Sequence, residues 1–438
     1  MKILSITAGA AGMYCGSCFR DNALAIEILA RGHDIALVPV YTPTRTDETN
    51  VSAGHVLFGG ISVYLQHRFG WFRHGPRAFD RLWDAPGVIR RFADRAVTTD
   101  PKLLGGLTVS MLRGQAGVLH REFEKLVDWT RNQPRPDIVN LPNSLLIALA
   151  APLGRALGVP VCCTLQGEEL FLTGLPSPYH DEALSLIRQQ VGDVDRFIAV
   201  SDYAARFMSR LLRIPAERVA TVPLGINMEG YARRQHRSAP FTVGFFARVA
   251  PEKGLHVLAD AFVELVRRVG GAPIRLAAAG YLSAAHRSYL DGVEQRLRRE
   301  GLSDRFTYRG EVDRQGKADF LSGLDVLSVP ATYDEPKGIF LLEAMACGVP
   351  VVQPRRGAFT EIVERTGGGL LVVPDDPSAL ADGLFALWKD RDLAARLGRR
   401  AVEGVRSHHA IGVSAERLLA VYDDVIHART AGPAAEAG

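Results

Sequence analysis

The chain has 438 residues, a length that suits two domains better than one core. Hydrophobic residues make up 47% and charged residues 23%, the balance of a globular protein rather than of a disordered or fibrous chain. The formal net charge of +4 is small for this length, so no nucleic-acid partner is expected.

No apolar run reaches the roughly 18 residues of a membrane span. The opening MKILSITAGA lacks the apolar core and small-residue cleavage site of a signal peptide. A cytoplasmic protein is the expectation. The cysteines are Cys15, Cys18, Cys162, Cys163 and Cys347, an odd number that argues against a disulfide framework. Cys15 and Cys18 form a C-x-x-C pair, but no further ligands at zinc spacing and no thioredoxin-like context accompany it, so it reads as two small residues in a tight loop.

Short β-branched runs alternate with longer helical segments, which predicts a doubly wound α/β protein. The first strand is expected at 2–7, followed by a small-residue loop, a helix over 21–31 capped by Gly32, and a strand over 34–40. Residues 65–95 depart from this rhythm. Arginines such as Arg68, Arg73 and Arg77 alternate there with Phe69, Trp71, Phe72 and Trp83, a surface suited either to packing on the domain or to peripheral contact with a membrane or an anionic acceptor. Strands are then expected at 137–140, 160–165, 196–200 and 218–222. The stretch 227–239 carries no strand pattern and reads as a linker. A second series follows, with strands at 241–246, 274–279, 306–308, 326–330, 349–353 and 371–373 and helices at 255–269, 376–390, 392–403 and 410–427. The Gly- and Ala-rich tail is expected to be disordered.

Three segments carry chemistry. In Glu335-Pro-Lys-Gly-Ile-Phe-Leu-Leu-Glu343, two carboxylates lie eight positions apart around a predicted helix start at Gly338. Eight helical residues would span about 12 Å, too far for a hydrolase pair, which needs about 5–9.5 Å. That spacing suits an extended ligand, with a sugar at one carboxylate, a ribose at the other, and a diphosphate on the free amides of the helix N-terminus. In Phe245-Phe-Ala-Arg248-Val-Ala-Pro-Glu-Lys253-Gly, a loop after a strand presents two cations suited to phosphate oxygens. The loop Ala8-Gly-Ala-Ala-Gly12-Met-Tyr-Cys-Gly16 after the first strand lets backbone approach a ligand closely, but it is not G-x-G-x-x-G, and the second strand ends at Tyr41 without an acidic residue, which disfavours a dinucleotide enzyme.

Taken in order with Pro223-Leu-Gly-Ile-Asn227, Gly310 in Tyr-Arg-Gly-Glu-Val and Gly357-Ala-Phe-Thr-Glu361, these segments resemble the retaining glycosyltransferases of family 4, glycosyl transferases group 1. The resemblance covers nearly the whole chain and is densest over 219–373. It implies the GT-B fold, an α/β architecture of two Rossmann-like doubly wound domains facing each other across a cleft. The N-terminal, acceptor-side domain would cover 1–230 and the donor domain 240–408, with a helix at 409–428 crossing back to the first domain and a disordered tail at 429–438. It further implies that Arg248 and Lys253 bind the donor diphosphate, that Glu335 contacts the transferred sugar, and that Gly338, Ile339 and Phe340 offer backbone amides. Glu343 would hold the ribose, Gly16 would approach the diphosphate, and Val312 would lie beside the base. Arg248, Lys253 and Glu335 form the implied catalytic set. No cofactor and no metal is expected, since the two cations supply positive charge to the leaving group. The implied partners are a nucleotide-sugar donor and a sugar, lipid-linked or small-molecule acceptor.

The chain departs from its relatives on the acceptor side. Asn143 and Gln166 stand where histidines are frequent, and neither titrates. Lys337 stands where an aromatic residue is usual. A nucleotide-sugar epimerase or a sugar phosphorylase on the same architecture is the alternative reading.

Overall fold

The computed structural model describes residues 1–9, 16–44, 46–53, 101–232 and 240–431. The basic, aromatic stretch 65–95 and most of the first glycine-rich loop, including Cys15, lie outside them. The chain divides into two compact units, one of Met1–Pro223 with Ser414–Gly438, the other of Leu224–Val413.

The first unit holds a parallel sheet of six strands, β1 (Lys2–Thr7), β2 (Asp34–Pro39), β3 (Ile138–Leu141), β4 (Val161–Leu165), β5 (Arg196–Ala199) and β6 (Val219–Thr221), in the order β2-β1-β3-β4-β5-β6. β1 pairs with both β2 and β3, so the strand order reverses between β1 and β3. Buried Leu4, Ile6, Val139, Leu141, Cys163 and Leu165 put one face of the sheet in a continuous apolar core. On the strands of a parallel sheet covered on both faces, such near-continuous apolar runs are expected.

The second unit repeats the plan with β7 (Phe241–Phe246), β8 (Ile274–Ala279), β9 (Phe306–Tyr308), β10 (Val326–Leu327), β11 (Val351–Pro354) and β12 (Gly369–Val372), in the order β12-β11-β10-β7-β8-β9. Here the reversal falls between β7 and β10. Helix starts are fixed locally. Asp313 accepts from Gly316 N at 2.8 Å, Asp376 from Ser378 N at 2.9 Å, and Asp390 from Leu393 N at 2.7 Å, each satisfying an amide the helix leaves unpaired.

Several expected boundaries move. The first helix begins at Gly16, five residues before 21, because Cys18, Arg20 and Asp21 already turn their side chains inward. β10 keeps only two residues of 326–330, since Ala331 N turns back onto Val329 O at 2.8 Å. The first unit ends at Pro223 rather than 230, and the segment read as a linker is tied to the second unit instead. Ile226 pairs with the backbone of His409 and Ile411, and Arg314 bonds Glu229 O at 2.8 Å. The last helix runs Ile411–Ala431, so 429–431 are helical rather than tail. Its residues from Ser414 onward belong to the first unit, where Ser414 Oγ donates to Pro223 O at 2.6 Å and Tyr422 is buried.

Candidate active site

In open α/β sheets, ligands bind at the carboxyl ends of the strands where the order reverses. In the second unit that point lies between β7 and β10. The chain leaving β7 carries Arg248 and Lys253, and the chain leaving β10 carries Glu335 and Gly338. The sequence-predicted donor residues therefore share one edge of one sheet, with Val312 further along the same edge, half-buried in the loop after β9.

The run from Glu335 to Gly338 is not helical. Gly338 takes the left-handed conformation (φ 72°), and the helix Ile339–Ala346 starts directly after it. Glu335 thus stands in a loop and Glu343 one turn inside the helix, as the motif predicts, so the eight positions between them are not one continuous helical span. Glu335 is held from behind by the next helix, Gly357–Thr366. Ala358 N donates to Glu335 O at 2.8 Å, and a Cβ at Gly357 (φ 50°) would lie 2.5 Å from that same oxygen. Only glycine lets this helix approach the loop so closely.

Glu335 and Glu343 are both buried, at 3% and 6% exposure, and each is bound by a lysine and a tyrosine on a single oxygen. Glu335 Oε2 accepts from Lys253 Nζ and from the Tyr333 hydroxyl, while Lys253 Nζ also donates to Tyr333 at 2.8 Å. Glu343 Oε1 accepts from Lys317 Nζ at 2.6 Å and from the Tyr231 hydroxyl at 3.0 Å. The second oxygen of each carboxylate, Glu335 Oε1 and Glu343 Oε2, has no hydrogen-bond partner among the described residues and is not sealed from solvent. Burial pushes the Glu335 carboxyl up, but the charge and hydrogen bond of Lys253, the Tyr333 hydrogen bond and the charge of Lys337 outweigh it. The net effect holds Glu335 below the usual carboxylate value.

Lys253 also lies over two rings, 5.0 Å from the centroid of Tyr333 and 5.7 Å from that of Phe340, which itself packs edge-on against Phe359. Arg248 behaves differently. It is exposed and bonds Glu252 Oε1 at 2.5 Å, one helical turn along its own loop. The structure thus joins Lys253, Glu335 and the helix start in one cluster and leaves Arg248 at its rim.

Family models match most of the described second unit and part of the first: "Glycosyl transferases group 1" over residues 231–403 and "Glycosyltransferase Family 4" over residues 108–229. The chain belongs to glycosyltransferase family 4. A D-inositol 3-phosphate glycosyltransferase of Nocardia farcinica is 31% identical over 54% of this chain and 54% of its own length. A lipopolysaccharide core biosynthesis mannosyltransferase of Rhizobium meliloti is 33% identical over 42% of this chain and 52% of its own. The chain spans about half the length of these curated relatives. Among solved structures, Anabaena Alr3699/HepE in complex with UDP superimposes with a TM-score of 0.66 at 17% identity, covering 97% of this chain and 100% of that one. That likeness places both units in the GT-B fold.

Within this family 4 chain, the two residues expected on the acceptor side, Asn143 and Gln166, stand together in the first unit, beyond the ends of β3 and β4. Asn143 caps the short turn Ser144–Leu149 by accepting from Leu145 N at 3.1 Å. Gln166 Nε2 donates to Pro142 O at 2.8 Å, and its Oε1 is buried without a partner. Gly16 opens the first helix, and a Cβ there would meet nothing within 4 Å, so packing does not require glycine at that position. Cys18, Cys162, Cys163 and Cys347 are buried, and burial pushes the Cys162 and Cys163 thiols well up, away from the reactive thiolate.

Sequence reasoning missed Tyr333, Tyr231 and Lys317. One signal was available for Lys317. In the helix Arg314–Ser322 it falls on the same face as buried Phe320 and Leu321, where a lysine demands a buried anion. Tyr231 sat in a segment read as linker, and nothing in its local pattern points to a carboxylate 112 positions away.

Proposed function

We propose that the chain transfers a hexose-type sugar from a nucleotide-sugar donor to an acceptor hydroxyl, with retention of anomeric configuration and without a metal. The observation that carries this reading is the pair of buried glutamates. Each is anchored through one oxygen, each keeps the other open, and they stand on either side of a helix N-terminus. Sugar hydroxyls donate to Glu335 Oε1, ribose hydroxyls donate to Glu343 Oε2, and the free amides of Ile339 and Phe340 receive the diphosphate between them. Arg248 and Lys253 balance its growing charge as the sugar–phosphate bond breaks. The acceptor oxygen forms the new bond to the anomeric carbon, and its proton passes to a phosphate oxygen of the departing nucleotide. Val312 borders the base, Gly16 approaches the diphosphate, and Asn143 and Gln166 serve the acceptor. Relatives named for mannosyl transfer and for inositol phosphate support a hexose donor and a polyhydroxylated acceptor.

The deciding experiment is a thermal-shift screen of UDP, GDP and ADP with their hexose conjugates, on the wild type and Glu335→Ala. A bound ligand raises the midpoint by mass action. One nucleotide is expected to stabilise both proteins, with a further rise from its sugar conjugate only in the wild type. No shift with any nucleotide overturns the proposal. Turnover of the identified donor in excess chelator tests the metal-free claim, which complete loss of activity would sink. Conversion of donor without acceptor would favour an epimerase instead.

A further inference from the structure

We infer that Tyr231 and Lys317 are positioning residues for nucleotide recognition: together they fix the Glu343 carboxylate so that Oε2 is presented to a vicinal diol of the ribose. The inference rests on the donor reading above and adds two residues to it. Glu343 Oε1 takes two donors, Lys317 Nζ at 2.6 Å and the Tyr231 hydroxyl at 3.0 Å. Lys317 and Glu343 side chains are each only 7% exposed, so the ion pair is shielded from water and from salt. Turning the carboxylate would break both bonds at once, inside a shielded site where a lost charge-assisted bond is costly. Its plane is therefore set before any ligand arrives, which is the condition for strong, selective hydrogen bonding by the remaining oxygen.

The chemistry that fits Oε2 is a neutral donor. The charge of Glu343 is already balanced by Lys317, and Arg314 stands close by, its guanidinium 5.4 Å from the Tyr231 ring centroid. A cationic ligand would meet both. Hydroxyls bring the hydrogen-bond donors without the charge. The Tyr231 ring is held independently of its hydroxyl, packed under Arg314 and, at 5.8 Å, under Lys317. Arg314 in turn bonds Glu229 O at 2.8 Å, which pins the backbone just before Tyr231. Removing the hydroxyl alone should leave this packing intact. The same construction occurs at Glu335, where Lys253 and Tyr333 share Oε2, so the arrangement recurs at both ends of the motif.

The test is calorimetric binding of UDP, GDP and ADP and of their 2′,3′-dideoxy counterparts to the wild type, Tyr231→Phe and Lys317→Met. The wild type is expected to prefer one ribonucleotide over its dideoxy form by on the order of tenfold or more, the scale of a hydrogen bond to a charged group. Tyr231→Phe should erode most of that preference while binding the dideoxy form as the wild type does. Lys317→Met should do the same if it folds; Tyr231→Phe, which keeps the ring, carries the test if it does not. Equal weakening of both nucleotide forms, or an unchanged preference in Tyr231→Phe, overturns the inference. A wild type that binds nucleotides without discriminating overturns it too and leaves the donor reading standing, whereas no nucleotide binding at all overturns both.

Discussion

Lys253 answers to two anions in the proposed reaction, the Glu335 carboxylate it already holds and the diphosphate it is to receive. Arg248, by contrast, is an exposed cation that among the described residues has only Glu252 to release. The two should separate in experiment. Arg248→Ala should change stability by no more than about 0.5 kcal/mol and weaken donor binding. Lys253→Ala should cost about 3 kcal/mol of stability, because it strands a buried carboxylate, and weaken binding as well; paired denaturation and calorimetry would check both. Acid should act through Glu335. Its carboxyl lies below the usual value in the folded chain, so its contribution to stability is complete above about pH 4.3, the ordinary carboxyl value, and is lost as pH falls through the lowered one. The stability gap between wild type and Glu335→Gln should therefore be constant from pH 7 to 5 and narrow below pH 4 in denaturation curves. The sequence singled out Glu335, Glu343, Arg248 and Lys253 as candidates, because each pair lies in one short motif. It concealed Tyr333, Tyr231 and Lys317, because those contacts are made by folding rather than by spacing.

The helix Gly357–Thr366 shows how a neighbouring element shapes the site without touching ligand. Its first residue is where a side chain would strike Glu335 O, so Gly357→Ala should destabilise the unit by at least about 1 kcal/mol and lower donor affinity by pushing the Glu335 loop forward. Gly16→Ala offers the opposite case. A methyl group there meets nothing within 4 Å and the backbone is not left-handed, so the thermal midpoint should hold or rise, and a fall in donor affinity alone would mark that helix start as a ligand contact. Short apolar runs made eleven of the twelve described strands readable within a residue or two. Where reading failed, a tertiary constraint had decided. β10 stops at Leu327 because the chain turns at Val329–Ala331, and the first helix starts early because buried polar residues extend it beyond the apolar pattern.

The division into two α/β units follows from the two runs of strand-and-helix alternation, and the family-level likeness agrees with it. Where the chain passes from one unit to the other was not legible. The crossing at Pro223 is set by His409, whose carbonyl accepts from Ile226 N at 2.9 Å and whose ring meets Leu224 O at 2.8 Å, a pairing 185 positions apart. The last helix is expected to matter to the first unit in proportion to what it buries. Tyr422, among the largest fully buried side chains, should cost about 3–5 kcal/mol when cut to alanine, read as a lowered denaturation midpoint with the nucleotide binding proposed for the second unit retained.

The first unit is thus written in two instalments, Met1–Pro223 and Ser414–Gly438, with the whole second unit between them. During synthesis at about 5–20 residues per second, the ribosome needs on the order of 10–40 seconds to pass from the first instalment to the second. Throughout that interval the nascent first unit lacks Tyr422 and the Ser414 clasp, while the second unit, contiguous in the chain, can already complete its own sheet. The half translated first is the half finished last, and its uncovered apolar surface is the stretch of this polypeptide that a chaperone on the ribosome would meet.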